Sequence, residues 1–474
     1  MTSRPTPPSL TFLLLAVGAG AFSMLQSLLN PVLPTIQADL QTTQSAVVWI
    51  VIAWLLAAAV ATPIFGKVGD MVGKTRAFVW SLAAVALGSL IAALAPTIEL
   101  VIIGRIVQGL GGAAFPLSFG IIRDEFSSER MPSAVGWLSA VIAVGGGVGI
   151  VLAGPVVDLL GWRWLLWLPM IVVGLTAILA GIYLPAAPQR TGGRINWLAA
   201  ALLAGWLVAL LTPLTLGSRW GWTAPAVLGL LALAAVLLIF WLLVELRSGN
   251  PVIDMRVMRL DGVWQANLVG FLFGATMFAV WAFLPQLVQV PAEAGYGFGA
   301  TVTQAGWVML PMLATMALAG MASGSLARVV GLRWQITGAS LLIALSTVGI
   351  ALLHQTLWEL SIFAGLFGIG LGVAYAALTS IIIQSAPASQ IGVAIGMNSN
   401  IRIIGGAFGT AIMTAIVTAE HQPSGLPAEA GFVTGFLVFG GVALLAAMAA
   451  LLLPGVSRQS AAQPATAPLP AAAE

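Results

Sequence analysis

Cysteine is absent from this chain of 474 residues, so disulfides, thiolate nucleophiles and cysteine-held metals are excluded at once. Charge is nearly as scarce. Asp, Glu, Lys and Arg make up 7% of the residues, against about a quarter in a soluble domain, so the chain cannot clothe itself for water. The two histidines, His354 and His421, lie far apart without metal-ligand spacing. No nucleophile motif and no Walker sequence occurs. The chain therefore reads as neither an enzyme nor an ATP-driven pump, and no cofactor is expected. The net charge of +3 is dispersed over short loops, which speaks against nucleic acid as a partner.

Apolar residues are what the chain has, at 60% of the total, in runs of helix length for a bilayer. In lipid every backbone polar group must be satisfied internally, which leaves helices or a closed barrel. Barrel strands would be shorter and would alternate in polarity. The reading is an all-α membrane protein with fourteen spans, at about 11–34, 46–65, 77–95, 99–120, 133–157, 163–184, 195–215, 223–245, 263–288, 303–325, 334–353, 357–382, 391–418 and 430–454. The polar start, Met1 to Ser9, does not resemble a cleaved signal peptide. The tail after Pro454, rich in Ala, Pro and Gln, is expected to be disordered.

Lysine and arginine orient the spans. With the N-terminus in the cytoplasm, fourteen of the eighteen basic residues fall inside, among them Lys67, Lys74, Arg76, Arg123, Arg190 and Arg328. Only Arg163 and Arg219 fall outside, and Arg105 and Arg402 lie within spans. Both termini come out cytoplasmic.

An internal repeat is also visible. Gly66 and Gly73 flank the turn after span 2, and Gly324 and Gly331 repeat that spacing 258 residues later, as Trp307 repeats Trp49. Leu33-Pro34 has a counterpart in Leu284-Pro285, 251 residues on. The organisation expected is a six-helix bundle over 1–184, a linker with inserted spans 7 and 8 over 185–259, a second six-helix bundle over 260–454, and the tail 455–474. Parallel six-helix halves are a transporter plan, with the substrate between them near the midplane.

Several strings carry more. The turn Gly66-Lys-Val-Gly-Asp-Met-Val-Gly-Lys-Thr-Arg76 joins spans 2 and 3, and Asp70 in it can meet a nearby cation or cap span 3. Span 4 holds Arg105 followed by Gln108, Gly109 and Gly111. An arginine inside a span costs roughly 2.5–3.5 kcal/mol, so it needs a partner, water or a snorkelling route to the interface. Span 5 carries Gly145, Gly149, Gly154 and Pro155, which permit close backbone approach and a kink. Gly161-Trp-Arg-Trp164, the stretch from Glu245 to Asp254, and the run from Gly392 to Gly406 complete the set.

Together these strings resemble the major facilitator superfamily, in its fourteen-span drug:proton antiporter branch, over nearly the whole chain. The resemblance implies a secondary exporter of lipophilic or amphipathic small molecules in a bacterial cytoplasmic membrane, monomeric and driven by protons. It casts Gly66, Asp70, Gly73, Lys74 and Arg76 as a conformational latch, although Arg is usual where Met71 stands. It casts Gly145, Gly149, Gly154 and Pro155 as the antiporter-type span 5, although Asp158 and Leu159 replace the usual final glycines.

Span 1 departs from the branch, because Leu25 stands where an acidic residue is usual. No Asp or Glu lies deep in any span, so a buried cation would find no carboxylate at the midplane. Asp158, with Arg105, is the remaining candidate for proton coupling, and pairing of Asp158 with Arg163 at the surface is the alternative. Candidate cavity residues are Gln26 and Asn30 on span 1, Gln108 on span 4, Asn267 and Gln286 at opposite ends of span 9, and Asn398 and Arg402 on span 13. The same amides can equally tie helices together. Arg402 can equally be held by carbonyls near the cytoplasmic end. Many tryptophans, such as Trp162, Trp164, Trp220 and Trp222, are expected at the lipid–water interface. A facilitator or lipid transporter of the same fold, without obligatory proton coupling, is the competing reading.

Reporter fusions test the topology. Reporters placed after Arg190 and after Arg247 should both read cytoplasmic, and an outside signal at either position breaks the fourteen-span reading.

Overall fold

The computed structural model describes residues 7–29, 32–127, 129–185, 196–249, 251–387, 390–419 and 427–454, and every element among them is a helix. The spans are α1 (Pro8–Ser27), α2 (Gln44–Val72), α3 (Lys74–Leu94), α4 (Ile98–Glu125), α5 (Met131–Leu160), α6 (Trp164–Tyr183) and α7 (Trp197–Trp220). The others are α8 (Pro225–Arg247), α9 (Val263–Gln289), α10 (Val302–Val330), α11 (Leu332–Leu352), α12 (Leu357–Ser385), α13 (Ile391–Val417) and α14 (Glu429–Ala450). Thirteen of these are long and apolar enough to cross a membrane as they stand. α5 is the fourteenth, as two segments, Ser133–Gly149 and Val151–Leu160, bent by 47°. The bend falls where the ring of Pro155 denies a hydrogen bond to, and crowds, the carbonyl of Val151 one turn earlier.

Local chemistry sets the ends. Thr43, Asn196, Thr301 and Thr356 cap α2, α7, α10 and α12 by accepting a first-turn N–H. The first span is shorter than the expected 11–34. α1 ends at Ser27, and a separate short helix, Leu33–Asp39, carries Pro34 in its first turn, where the missing N–H is harmless.

The repeat is sharper in the structure than in the sequence. α2 and α10 are each 29 residues long and start and stop 258 positions apart, as do α3 and α11 at 21 residues. Both α2–α3 and α10–α11 junctions turn on a glycine of positive φ, Gly73 at 103° and Gly331 at 82°. Leu33-Pro34 and Leu284-Pro285 are not equivalent, since the first opens the short helix beyond α1 and the second lies inside α9.

Small residues decide the packing. A Cβ on Gly145 would sit 2.6 Å from the carbonyl oxygen of Gly20, and one on Gly149 would sit 2.6 Å from that of Met24, so α5 lies with its backbone against α1. The inserted α7 packs between α2 and α13, with Leu203, Leu207 and Leu211 sharing one cluster with Ile52, Leu56, Ile404 and Ala407. α8 packs on α7 through Trp206 and Trp241, whose rings are 5.8 Å apart, and its other face is exposed and apolar. At its end Glu245 accepts the backbone N–H groups of Val252 and Ile253, at 3.0 and 3.2 Å, which turns the chain back toward α9.

The two halves meet backbone to backbone at the end that holds Lys74, Arg123 and Arg328. There a Cβ on Gly66 would lie 3.4 Å from the carbonyl of Gly392, and one on Gly136 would lie 2.9 Å from that of Gly320. Arg123 donates to the carbonyl of Ile383 at 3.1 Å, and Asn400 to that of Ala59 at 2.6 Å. Toward the other end α5 and α10 relax to ordinary contact, where a Cβ on Gly154 would lie 3.8 Å from Thr303 and one on Gly306 would lie 4.0 Å from Val151.

The absence of native cysteine makes this closed end testable. A Gly66→Cys, Gly392→Cys double variant should cross-link under mild oxidation, read as reconnection of the halves after proteolysis between them. If no cross-link forms under any condition, the closed basic end is not a populated state.

Candidate functional site

A cavity lies between the halves, halfway along the spans, with a free volume of about 620 Å³ including its open mouth. From the first half, Phe22, Trp54 and Phe115 form one aromatic wall, with ring pairs 5.2–5.4 Å apart. Phe278, Trp281 and Tyr375 face them from the second half. Gln26, Ser399 and Arg402 supply polar edges. Arg402 is buried. Its Nη2 donates to the Tyr375 hydroxyl at 3.0 Å and to Ser399 at 3.4 Å, and its Nη1 donates to Asn398 at 3.5 Å. The guanidinium also stacks 4.2 Å from the Tyr375 ring. Arg402 sits in mid-helix, not against carbonyls at a helix end.

Arg105 is 0% exposed and does not snorkel. Its Nε donates to the carbonyl of Ile50 at 3.0 Å, and its Nη1 to the carbonyl of Leu25 at 3.4 Å and to Gln108 Oε1 at 2.7 Å. Gln108 passes the network on to Ser89 at 2.7 Å, and the guanidinium lies 5.3 Å from the Trp54 ring. Bonds to a charged donor contribute roughly 1.5–3 kcal/mol each, enough together to offset the roughly 2.5–3.5 kcal/mol of placing Arg in a span. Leu25 thus contributes its carbonyl where the resemblance leads one to look for a side chain.

The turn between α2 and α3 is built around a buried ion pair. Lys74 Nζ lies 2.8 Å from Asp124 Oδ2, and Thr75 donates to the carbonyl of Pro185 at 2.8 Å. Asp70 is buried beside the start of α13, where a Cβ on Gly392 would lie 3.7 Å from Asp70 Oδ1. Arg76 is exposed.

The other candidates separate. Gln26 and Arg402 reach one cavity. Gln108 belongs to the Arg105 network behind its wall. Asn398 donates to Asn267 at 3.1 Å and to the carbonyl of Ala266 at 3.0 Å, so this pair ties α13 to α9. Gln286 is exposed near the end of α9, and Asn30 lies outside the described residues. Asp158 is exposed on the last turn of α5, outside the cavity. Its expected surface partner is taken, because Arg163 Nη1 lies 2.7 Å from Asp39 Oδ2. Trp162, expected at the interface, is instead buried and donates its indole N–H to Asp39 at 2.9 Å. That bond, and after it the one from Arg163, holds the Asp39 carboxyl below its ordinary range. The span-5 residues Gly145 and Gly149 seat α1, while Gly154 faces Thr303 on α10.

Sequence reasoning passed over Asp39, Ser89, Asp124, Trp281 and Tyr375. Tyr375 carried a usable signal, as one of only three tyrosines and the only one deep in a span. Asp124 did too, as an acid two spans further along the chain, at the same end of the bundle as Lys74.

An all-helical pair of bundles with a midplane cavity closed from one end is the architecture of a membrane transporter. A family model described as Major Facilitator Superfamily matches residues 15–196 and 266–473, and the chain belongs to that superfamily. The unmatched interval holds the inserted α7 and α8. A methylenomycin A resistance protein of Streptomyces coelicolor is 29% identical over 98% of this chain and 96% of its own length. A multidrug transporter protein of Bacillus subtilis, MdtP, is 27% identical over 83% of this chain and 72% of its own. A multidrug resistance protein B homolog of Mycobacterium tuberculosis is 30% identical over 84% and 74%. Among solved structures, the human organic anion transporter MFSD10 matches with a TM-score of 0.66 over 94% of this chain and all of that one, at 17% identity, a likeness of fold.

Gln108→Leu should lower the melting temperature of the detergent-solubilised chain by the equivalent of about 1–3 kcal/mol, because Arg105 loses an acceptor inside the fold. Adding Ser89→Ala should cost little more, since its partner is already gone. Fully additive losses would show that the three residues do not act as one network.

Proposed function

We propose that the chain exports lipophilic or amphipathic, drug-like small molecules across a bacterial cytoplasmic membrane by alternating access, as a monomer with both termini in the cytoplasm. The observation that carries this reading is the aromatic cavity between the halves, sealed toward the basic end by backbone contact. Its drug-like guests are supported by relatives named for multidrug and antibiotic resistance. Positive-inside bias assigns the basic end to the cytoplasm. The conformation described is then the one closed to the cytoplasm, and export requires the bundles 1–184 and 260–454 to rock so that Gly66 parts from Gly392 and Gly136 from Gly320.

In this reading the turn from Gly66 to Arg76 is the latch. Asp70 at the start of α13 holds the halves together on the cytoplasmic side, and the Lys74–Asp124 pair keeps that turn in place. Opening exchanges the Asp70 contact for water.

The energy source has two readings. The span-5 pattern and the family resemblance support proton antiport. The cavity favours transport without obligatory proton coupling, because no Asp or Glu is among its described lining residues. Flux of a lipophilic dye in proteoliposomes separates them. Transport should exceed that of protein-free liposomes whether or not a pH gradient is present. Acceleration or uphill accumulation under a gradient would rule out the coupling-free reading and make Asp158→Asn the next variant to measure. No flux above protein-free liposomes in either condition would sink the exporter reading.

Asp70→Asn should slow dye transport while membrane abundance stays near wild type, since the lost charge faces a helix end rather than a packed core. A variant transporting at the wild-type rate would reduce the turn to a topology signal.

A further inference from the structure

The cavity is lopsided in its chemistry. Among the described residues Arg402 is its one charged lining residue, and the guanidinium donates to neutral oxygens, of Asn398, Ser399 and Tyr375. A guanidinium has five N–H donors, so these three bonds leave donors over. Two tryptophans, Trp54 and Trp281, line the same space. The indole N–H groups of Trp54 and Trp281 are buried and have no acceptor. Behind Trp54 stands Arg105, a second buried cation whose bonds go to backbone carbonyls and Gln108. The described lining residues therefore offer positive charge and N–H donors, and no carboxylate.

We propose that the preferred cargo of this cavity is an aromatic or amphipathic organic anion, with its acid group on Arg402 and its ring body between the aromatic walls. A carboxylate or sulfonate brings several acceptor oxygens, which can take the leftover Nε–H and Nη1–H and compete for the long bonds to Asn398 and Ser399. Desolvation enforces the choice. A buried anion without a partner is costly, but a guanidinium already in place recovers that cost, whereas a cation in the same space meets like charge and no acceptor carboxylate. The indole N–H groups of Trp54 and Trp281 add neutral donors for the remaining acceptor atoms. Sequence reading alone argued only against cations. The placement of Arg402 and two unpartnered indoles around one cavity turns that into a positive preference. This proposal rests on the reading of the cavity as the transport site.

The test uses three probes with one aromatic body, 2-naphthoate as the anion, 2-naphthamide as the neutral form and 2-naphthylmethylammonium as the cation. Their protein-dependent flux is measured in proteoliposomes of the full chain. Wild type should move the anion faster than the cation by roughly tenfold or more, as expected where buried donors must be matched. Arg402→Gln should abolish the preference for the anion over the amide while amide flux persists, and Arg402→Lys should keep part of it. Trp281→Phe, which keeps the ring body and removes one N–H, guards against misfolding of the arginine variants and should reduce anion flux several-fold more than amide flux. Equal flux of all three probes in wild type, or an anion preference untouched by both Arg402→Gln and Trp281→Phe, overturns the proposal and leaves the exporter reading standing. Flux of none of the probes above protein-free liposomes overturns both.

Discussion

In hydrocarbon an apolar side chain gains little by leaving lipid for another helix, so the halves of this chain are held by closeness of approach. Closeness here means backbone on backbone. A Cβ on Gly136 would press on the carbonyl of Gly320, one on Gly320 would press on Ala140, and one on Gly66 would touch the carbonyl of Gly392. Many weak dispersion contacts accumulate only at that distance, and they are lost together when the surfaces part. A join of this kind is all-or-none, as alternation between two states requires. The same glycines that close the basic end therefore make it possible to open.

The two arginines inside spans solve the same problem in different ways. Arg105 is enclosed by helix carbonyls of Ile50 and Leu25 and by Gln108, and so it knits α1, α2 and α4 together from within one half. Backbone acceptors do not titrate or depart, so its environment is fixed. Arg402 is held by side chains of its own helix and by Tyr375, at the edge of open space. Its partners are neutral, and two of its three bonds, at 3.4 and 3.5 Å, are long. Each guanidinium makes three hydrogen bonds, so what separates the two is place: Arg105 lies behind the cavity wall and Arg402 lines the cavity.

The inserted helices add a constraint that the twelve-helix plan lacks. α7 touches α2 of one half and α13 of the other, while α8 contributes a largely lipid-facing surface beyond it. Movement of the halves must slide along α7 or carry it. Its contact with both is made by Leu, Ile and Ala side chains, which can re-pack, rather than by hydrogen bonds, which would have to break.

Composition and periodicity were enough for the fourteen spans, because a 20-residue apolar run has one stable form in lipid. The repeat was also readable, since a turn that needs positive φ must spend a glycine, and Gly73 and Gly331 show it in both halves. Side-chain partnership was not readable. Gln26, Asn267, Asn398 and Gln286 look alike as amides in apolar helices, yet one reaches the cavity, two bind each other and the last is exposed. Asp158 and Asp39 are both acids near span ends, and only the fold gives Arg163 to Asp39. The sequence by itself determined the membrane, the span count and the doubled plan, all of which follow from local pattern. Which polar group faces a neighbour and which faces the cavity was decided by the tertiary structure alone, because it depends on how helices far apart in the chain are rotated against one another.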